Sequence, residues 1–106
     1  MDLVVQIYSV SAGWPAAELY GLTSQIRRAA VSVPSNIAEG QGRASRGEFV
    51  HYLGMAYGSL MEVQTQLAIA VRLGFMSSDE ARDAVALSAE VAKLLNGLKK
   101  SLTTNH

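Results

Sequence analysis

Four arginines, one histidine and a few carboxylates carry most of the chemistry this chain could do. Arg27, Arg28, Arg43 and Arg46 are four of its nine basic residues. Guanidinium groups gathered in this way suit carboxylate or phosphate oxygens. Glu48 and His51 have the E-x-x-H spacing of di-iron helical bundles, where both side chains face inward. Such a site also needs a second motif and further glutamates, and the other histidine is His106. A homo-oligomer could supply the second copy, so a metal-dependent bundle enzyme built on Glu48 and His51 stands as one alternative. Gly40-Gln41-Gly42-Arg43 looks like part of a phosphate loop. It follows a helical pattern and lacks the G-K-[ST] ending, so it reads as a helix end and turn. The chain has no cysteine, and neither histidine has a serine and an acid to complete a triad. The expectation is a non-enzyme with no cofactor, no resident metal and no small-molecule substrate.

The elements that would position these residues are helices. Apolar residues recur at spacings of three and four, and strand-like alternation is scarce. Phe49, Leu53, Ala56, Leu60, Val63, Leu67 and Ala70 form a heptad seam over a helix from about Arg46 to Leu73. Ser45 and Glu48 make a capping box at its start, and Gly74 can end it with a left-handed residue. A second box, Ser77 and Glu80, opens a last helix with the stripe Ala84, Leu87, Val91, Leu94, Leu98 and Leu102. Another helix runs from about Thr23 to Arg43 and contains Pro34, where a bend is expected near Ala30 to Pro34. Asp2 to Ser11 forms a first helix only about 15 Å long, against roughly 40 Å for the third. It is short or truncated, so preceding residues or a neighbouring chain would have to cover the rest. Short connections between the last three helices imply one all-α domain over residues 1–106, an antiparallel up-down-up-down four-helix bundle.

The turn near Ala44 and Ser45 sets a register between the second and third helices. It places Asn36 opposite Gly54, Ser32 opposite Gly58, Arg28 opposite Glu62, Gln25 near Gln66 and Glu39 opposite His51. A polar network of Arg28, Asn36, Glu39 and Glu62 is therefore expected along an otherwise apolar interface. Its role would be to satisfy buried groups and set alignment; a ligand cleft and an oligomer contact are the alternatives. Gly54 and Gly58 each cost about 1 kcal/mol in mid-helix, which close backbone approach to Ser32 and Ser35 would offset. The arginines form two spots roughly 22 Å apart at about 1.5 Å per residue, which a ring of subunits could merge into a phosphate-tracking belt.

Composition narrows the classes further. Nine basic residues balance nine acidic ones, which disfavours a general nucleic-acid coat. Without cysteine there is no disulfide scaffold or Cys-based zinc module. The longest strictly apolar run, Leu67 to Val71, is far too short to span a membrane. The N-terminus has no basic segment ahead of its apolar residues, so it reads as a cytoplasmic protein without a signal peptide. Apolar residues are 49% of the chain and charged ones 17%, more apolar surface than a subunit this small can cover, which points to a homo-oligomer.

The run LTSQIRRAAVSVPSNIAEGQGRASRGEF, residues 22–49, resembles the four-helix-bundle family of 23S ribosomal RNA intervening-sequence proteins. Their relatives include the accessory variability proteins of diversity-generating retroelements. The likeness continues through YLGMAYGSLMEVQTQLAIAVRLGFM, residues 52–76, and weakens in the last helix. Arg27, Arg28, Asn36, Glu39 and Arg43 match the family motif. The resemblance implies barrel-like homopentamers with no assigned enzymatic activity. For the retroelement relatives it also implies basic partners of a reverse transcriptase and of nucleic acid. The chain departs from the family in its neutral charge and in a first helix shorter than usual. The expected function is a non-enzymatic homo-oligomeric scaffold, a pentamer, associated with RNA or a ribonucleoprotein partner. The alternative is a direct nucleic-acid-binding accessory protein that uses Arg27, Arg28, Arg43 and Arg46.

Overall fold

The computed structural model describes residues 1–104. It contains α1 (Asp2–Ser11), a short 3₁₀ turn (Ala16–Glu18), α2 (Leu22–Gln41), α3 (Arg46–Arg72) and α4 (Ser78–Thr104). Each helix packs against its two neighbours in the order α1–α2–α3–α4 and back to α1. Contacts across α2 and α3 run in opposite chain directions, Ser32 meeting Ser59 while Gly40 meets Tyr52. The bundle is an elongated body of 49 × 24 × 18 Å.

The heptad seam of α3 is the axis of the core. Leu53, Ala56, Leu60, Val63, Leu67 and Ala70 are all buried, against Ile26, Ala30 and Val33 of α2 and Leu3 and Ile7 of α1 among others. Full burial of a leucine such as Leu60 contributes about 1.5–3 kcal/mol. Phe49, the first residue of the expected seam, is only partly buried at the bundle end.

The helix ends follow their local chemistry. Ser45 Oγ accepts from the Glu48 N–H at 3.1 Å. At α4 the box is fully reciprocal: Ser77 Oγ accepts from the Glu80 N–H at 3.0 Å, and Glu80 Oε1 accepts from the Ser77 N–H at 2.9 Å. Gly74, at φ +78°, closes α3. The Phe75 N–H reaches the Ala70 carbonyl and the Gly74 N–H reaches that of Val71, the pairing of a Schellman cap. α2 continues through Pro34 to Gln41.

The expected stripe of α4 packs on the core at Ala84, Leu87, Val91 and Leu102 and departs from it at Leu94 and Leu98. Ala81, Ala84, Ser88 and Leu95 turn inward, while Leu94 is 73% exposed and Leu98 also lies at the surface. Two facts explain the difference. The inward face follows 81, 84, 88 and 95, which places Leu94 one residue round the helix from the core. Met1, Asp2 and Leu3 line a cleft with Leu87, Val91 and Leu94, so Leu94 faces open space between α1 and α4. At the other end of α1, Trp14 lies against Phe75 with ring centroids 6.2 Å apart.

Candidate functional site

The α2–α3 interface holds the polar residues singled out in the sequence, in a different pairing. Ser32 Oγ and Ser59 Oγ are 2.8 Å apart across the two helices. Asn36 donates to both the carbonyl and the hydroxyl of Ser32, each at 2.9 Å. Asn36 therefore reaches α3 only through the serine pair. Ser59 was not foreseen, because the expected register placed Gly58 there instead.

Close approach of the two backbones occurs at Gly40, not at Gly54 and Gly58. A Cβ on Gly40 would stand 2.8 Å from Tyr52 Cβ and 2.9 Å from Phe49 Cδ1. A Cβ on Gly54 or Gly58 would meet nothing within 4 Å. The expected offset for these two glycines is therefore absent within the subunit. The reason is rotation of α3: the seam and Ser59 face inward, which turns Gly54 and Gly58 outward.

Gln25, Arg28, Ser32, Ser59, Glu62 and Gln66 line one cleft of about 320 Å³ between α2 and α3. The expected grouping of Arg28 with Glu62 and of Gln25 with Gln66 is present, but no ion pair joins Arg28 to Glu62 among the described residues. Gln66 Oε1 is buried without a hydrogen-bond partner. Glu39 does not face His51 as a partner. It accepts from Arg43 Nη2 at 3.0 Å, four residues on in the turn that follows α2.

The arginines have different surroundings. Arg43 is exposed but engaged on three sides: by Glu39, by Glu48 Oε2 at 4.0 Å, and by Tyr52, whose hydroxyl accepts at 2.8 Å and whose ring lies 5.1 Å below the guanidinium. Arg46, just beyond the turn, is also engaged. Arg27 stacks over the Tyr8 ring at 4.6 Å; its Nε donates to Ser11 Oγ at 2.9 Å and its Nη2 to the Tyr8 carbonyl at 3.4 Å. No acidic side chain lies within ion-pair distance of Arg27 or Arg28 among the described residues. Tyr8 and Tyr52 were not foreseen. An aromatic residue set against an arginine from a different helix leaves no spacing signal.

Glu48 serves the α3 cap and lies beside Arg43, while His51 is exposed with its ring edge-on to Tyr52, 5.7 Å between centroids. Among the described residues, no group of three or more His, Asp and Glu side chains could hold a metal ion. His106, the second histidine, lies outside the described residues. Among the described residues no helix is long and apolar enough to cross a membrane.

Two larger grooves flank the bundle. One, about 790 Å³, runs along α1 and α2 and is lined by Tyr8, Leu19, Tyr20, Arg27, Arg28 and Val31 among others. Tyr20 is 94% exposed there. The other, about 660 Å³, runs between α3 and α4 past Ala68, Val71, Ala81, Val85 and Ala86, with Arg72 and Arg82 at its edge. In the ring order of helices these grooves lie on opposite sides. The α3–α4 groove lies toward the end where Trp14 meets Phe75, while the α1–α2 groove runs from that end along α2 to Asn36.

That end also holds a smaller cleft of about 350 Å³ walled by Ser11, Trp14, Pro15, Leu19, Thr23 and Arg27 among others. Trp14 is 6% exposed and its Nε1–H has no acceptor. A buried donor left unmatched costs about 1–3 kcal/mol.

Comparison with known proteins follows the fold. The chain is similar to a protein of unknown function from the S23 ribosomal protein family of Bacteroides thetaiotaomicron, whose crystal structure was determined at 1.70 Å. The TM-score is 0.79 at 24% identity, over 92% of this chain and 88% of that one. No curated protein sequence matches. A family model described as "23S rRNA-intervening sequence protein" matches residues 1–97. With the four-helix architecture and a match over most of its length, the chain belongs to the 23S rRNA-intervening sequence protein family.

Proposed function

We propose that the protein is a non-enzymatic scaffold that closes into a homo-oligomeric ring, a pentamer, and associates in the cytoplasm with RNA or a ribonucleoprotein partner. The observation that carries the assembly is the pair of grooves on opposite sides of the bundle, one bordered by the exposed Tyr20 and the other by Val85. Two different faces joined head to tail make a heterologous interface. Such an interface closes into a ring where the rotation from one subunit to the next divides a full turn evenly, and the family resemblance supports a closed ring. The resemblance of residues 22–49 to the family motif supports five as the number. The family's name supports RNA as the setting. Arg28, which also lines the α2–α3 cleft, would be its contact point, since Arg43 is already held by Glu39, Glu48 and Tyr52.

Light scattering at micromolar concentration tests the assembly. Tyr20→Asp spoils one groove and Val85→Arg the other, and each variant alone should be a monomer. Mixed, they should form a one-to-one heterodimer, because each keeps the face the other lacks. A monomeric parent protein, or variants that still assemble, would sink the ring. Binding to a single-stranded ribosomal RNA fragment should weaken as salt rises, and weaken further in Arg28→Gln. A salt-independent or absent signal removes direct RNA contact and leaves a protein partner.

A further inference from the structure

We propose that the cleft at the end of α1 binds a small organic carboxylate with a compact apolar body. The donors come first. Trp14 Nε1–H is buried and has no acceptor, and an indole nitrogen can only donate. Arg27 lines the same cleft and has no acid within ion-pair distance among the described residues. It is held in place by the Tyr8 ring at 4.6 Å and by Ser11 Oγ at 2.9 Å. Neither of its two hydrogen bonds uses Nη1. Thr23, itself buried, adds a hydroxyl to the wall.

The walls narrow the class. Pro15 and Leu19 give the cleft apolar sides, and its volume of about 350 Å³ suits a ligand of roughly ten heavy atoms. One guanidinium and neutral donors match a single negative charge. A phosphate dianion would lose more hydration than one cation can replace. The site asks for two acceptor oxygens at one end and an apolar group at the other, which describes an aromatic or short aliphatic carboxylate.

The cleft shares Leu19, Thr23 and Arg27 with the α1–α2 groove, so the monomeric Val85→Arg variant, which leaves that groove open, lets the site and the ring fail separately. Trp14 is the sole tryptophan, so its emission under selective excitation reports this cleft alone. Titration of the full chain with benzoate or hexanoate should give a saturable change. Benzyl alcohol, the neutral counterpart, and inorganic phosphate should bind at least about tenfold more weakly, the scale of one charge-assisted contact. Arg27→Gln should lose about the same factor, and Arg27→Lys should recover part of it. The monomeric Val85→Arg variant should bind at least as well as the parent, since its α1–α2 groove is uncovered. Melting curves identify any variant that fails to fold, and Thr23→Val, which keeps its shape, then provides the comparison. No saturable change, equal response to benzyl alcohol, or equal binding by folded Arg27→Gln would each overturn the proposal. Phosphate binding as tight as benzoate would overturn the assignment to carboxylates.

Discussion

Gly40 of α2 lies so close to Tyr52 of α3 that a Cβ on the glycine would come within 2.8 Å of the tyrosine Cβ. Two backbones meet there, one turn before the hairpin closes, and the contact is with the stem of the tyrosine, which cannot swing aside. The Tyr52 hydroxyl also accepts from Arg43, so the ring is fixed at both ends.

Gly40→Ala should therefore destabilise the fold by about 1–3 kcal/mol through overpacking, despite alanine's better helix propensity. Gly54→Ala and Gly58→Ala should do the opposite. Each meets open space and should gain about 0.5–1 kcal/mol from helix propensity alone. Urea denaturation of the three variants measures the contrast, and a stabilising Gly40→Ala would contradict the close approach.

Ser59→Ala should cost about 1 kcal/mol, because Ser32 loses its partner across the helices. Asn36→Ala should cost a similar amount, but the two losses should not add. Both act through the Ser32 hydroxyl, so a double-mutant cycle should show a coupling of about 0.5 kcal/mol or more. Strict additivity would mean the network does not act as a unit.

Leu94 and Leu95 are adjacent in sequence and opposite in consequence. Leu95→Ala should lower stability by about 2–5 kcal/mol by opening a cavity. Leu94→Lys should change it by no more than about 0.5 kcal/mol. Thermal melts of the pair test the inward face of α4 directly.

Ser77→Ala should cost about 1 kcal/mol, since it removes the acceptor for the Glu80 N–H at the start of α4. Glu80→Ala should cost less, leaving the exposed Ser77 N–H to water. Denaturation midpoints of the two variants should rank in that order.

The features legible in the sequence were those written in short spacings. The α3 seam, both capping boxes and the left-handed Gly74 each depend on residues within a turn or two. The resemblance of residues 22–49 and 52–76 identified the family for the same reason, through runs of contiguous residues. What was missed depends on helix rotation. Counting outward from the hairpin turn placed Gly58 where Ser59 lies, an error of one residue, and one residue turns a helix by about 100°. That error sent Gly54 and Gly58 to the interface and hid Gly40. The stripe of α4 failed similarly at Leu94. Trp14 and Tyr8 were passed over because their partners, Phe75 and Arg27, come from other elements. Of the candidate site, Arg28, Glu62, Gln25 and Gln66 were correctly grouped, while the ion pair implied by their register was not formed.

The shortness of α1 also bears on how the chain folds. The α3–α4 hairpin closes through a Schellman cap and a capping box separated by only a few residues, so little entropy is lost in forming it. The contact of Leu3 with the Leu87 to Leu94 stretch closes a loop of nearly the whole chain. α1 should dock last and detach first, giving a three-helix intermediate opening visible as early amide exchange at Gln6 to Val10 while Leu60 and Leu67 stay protected.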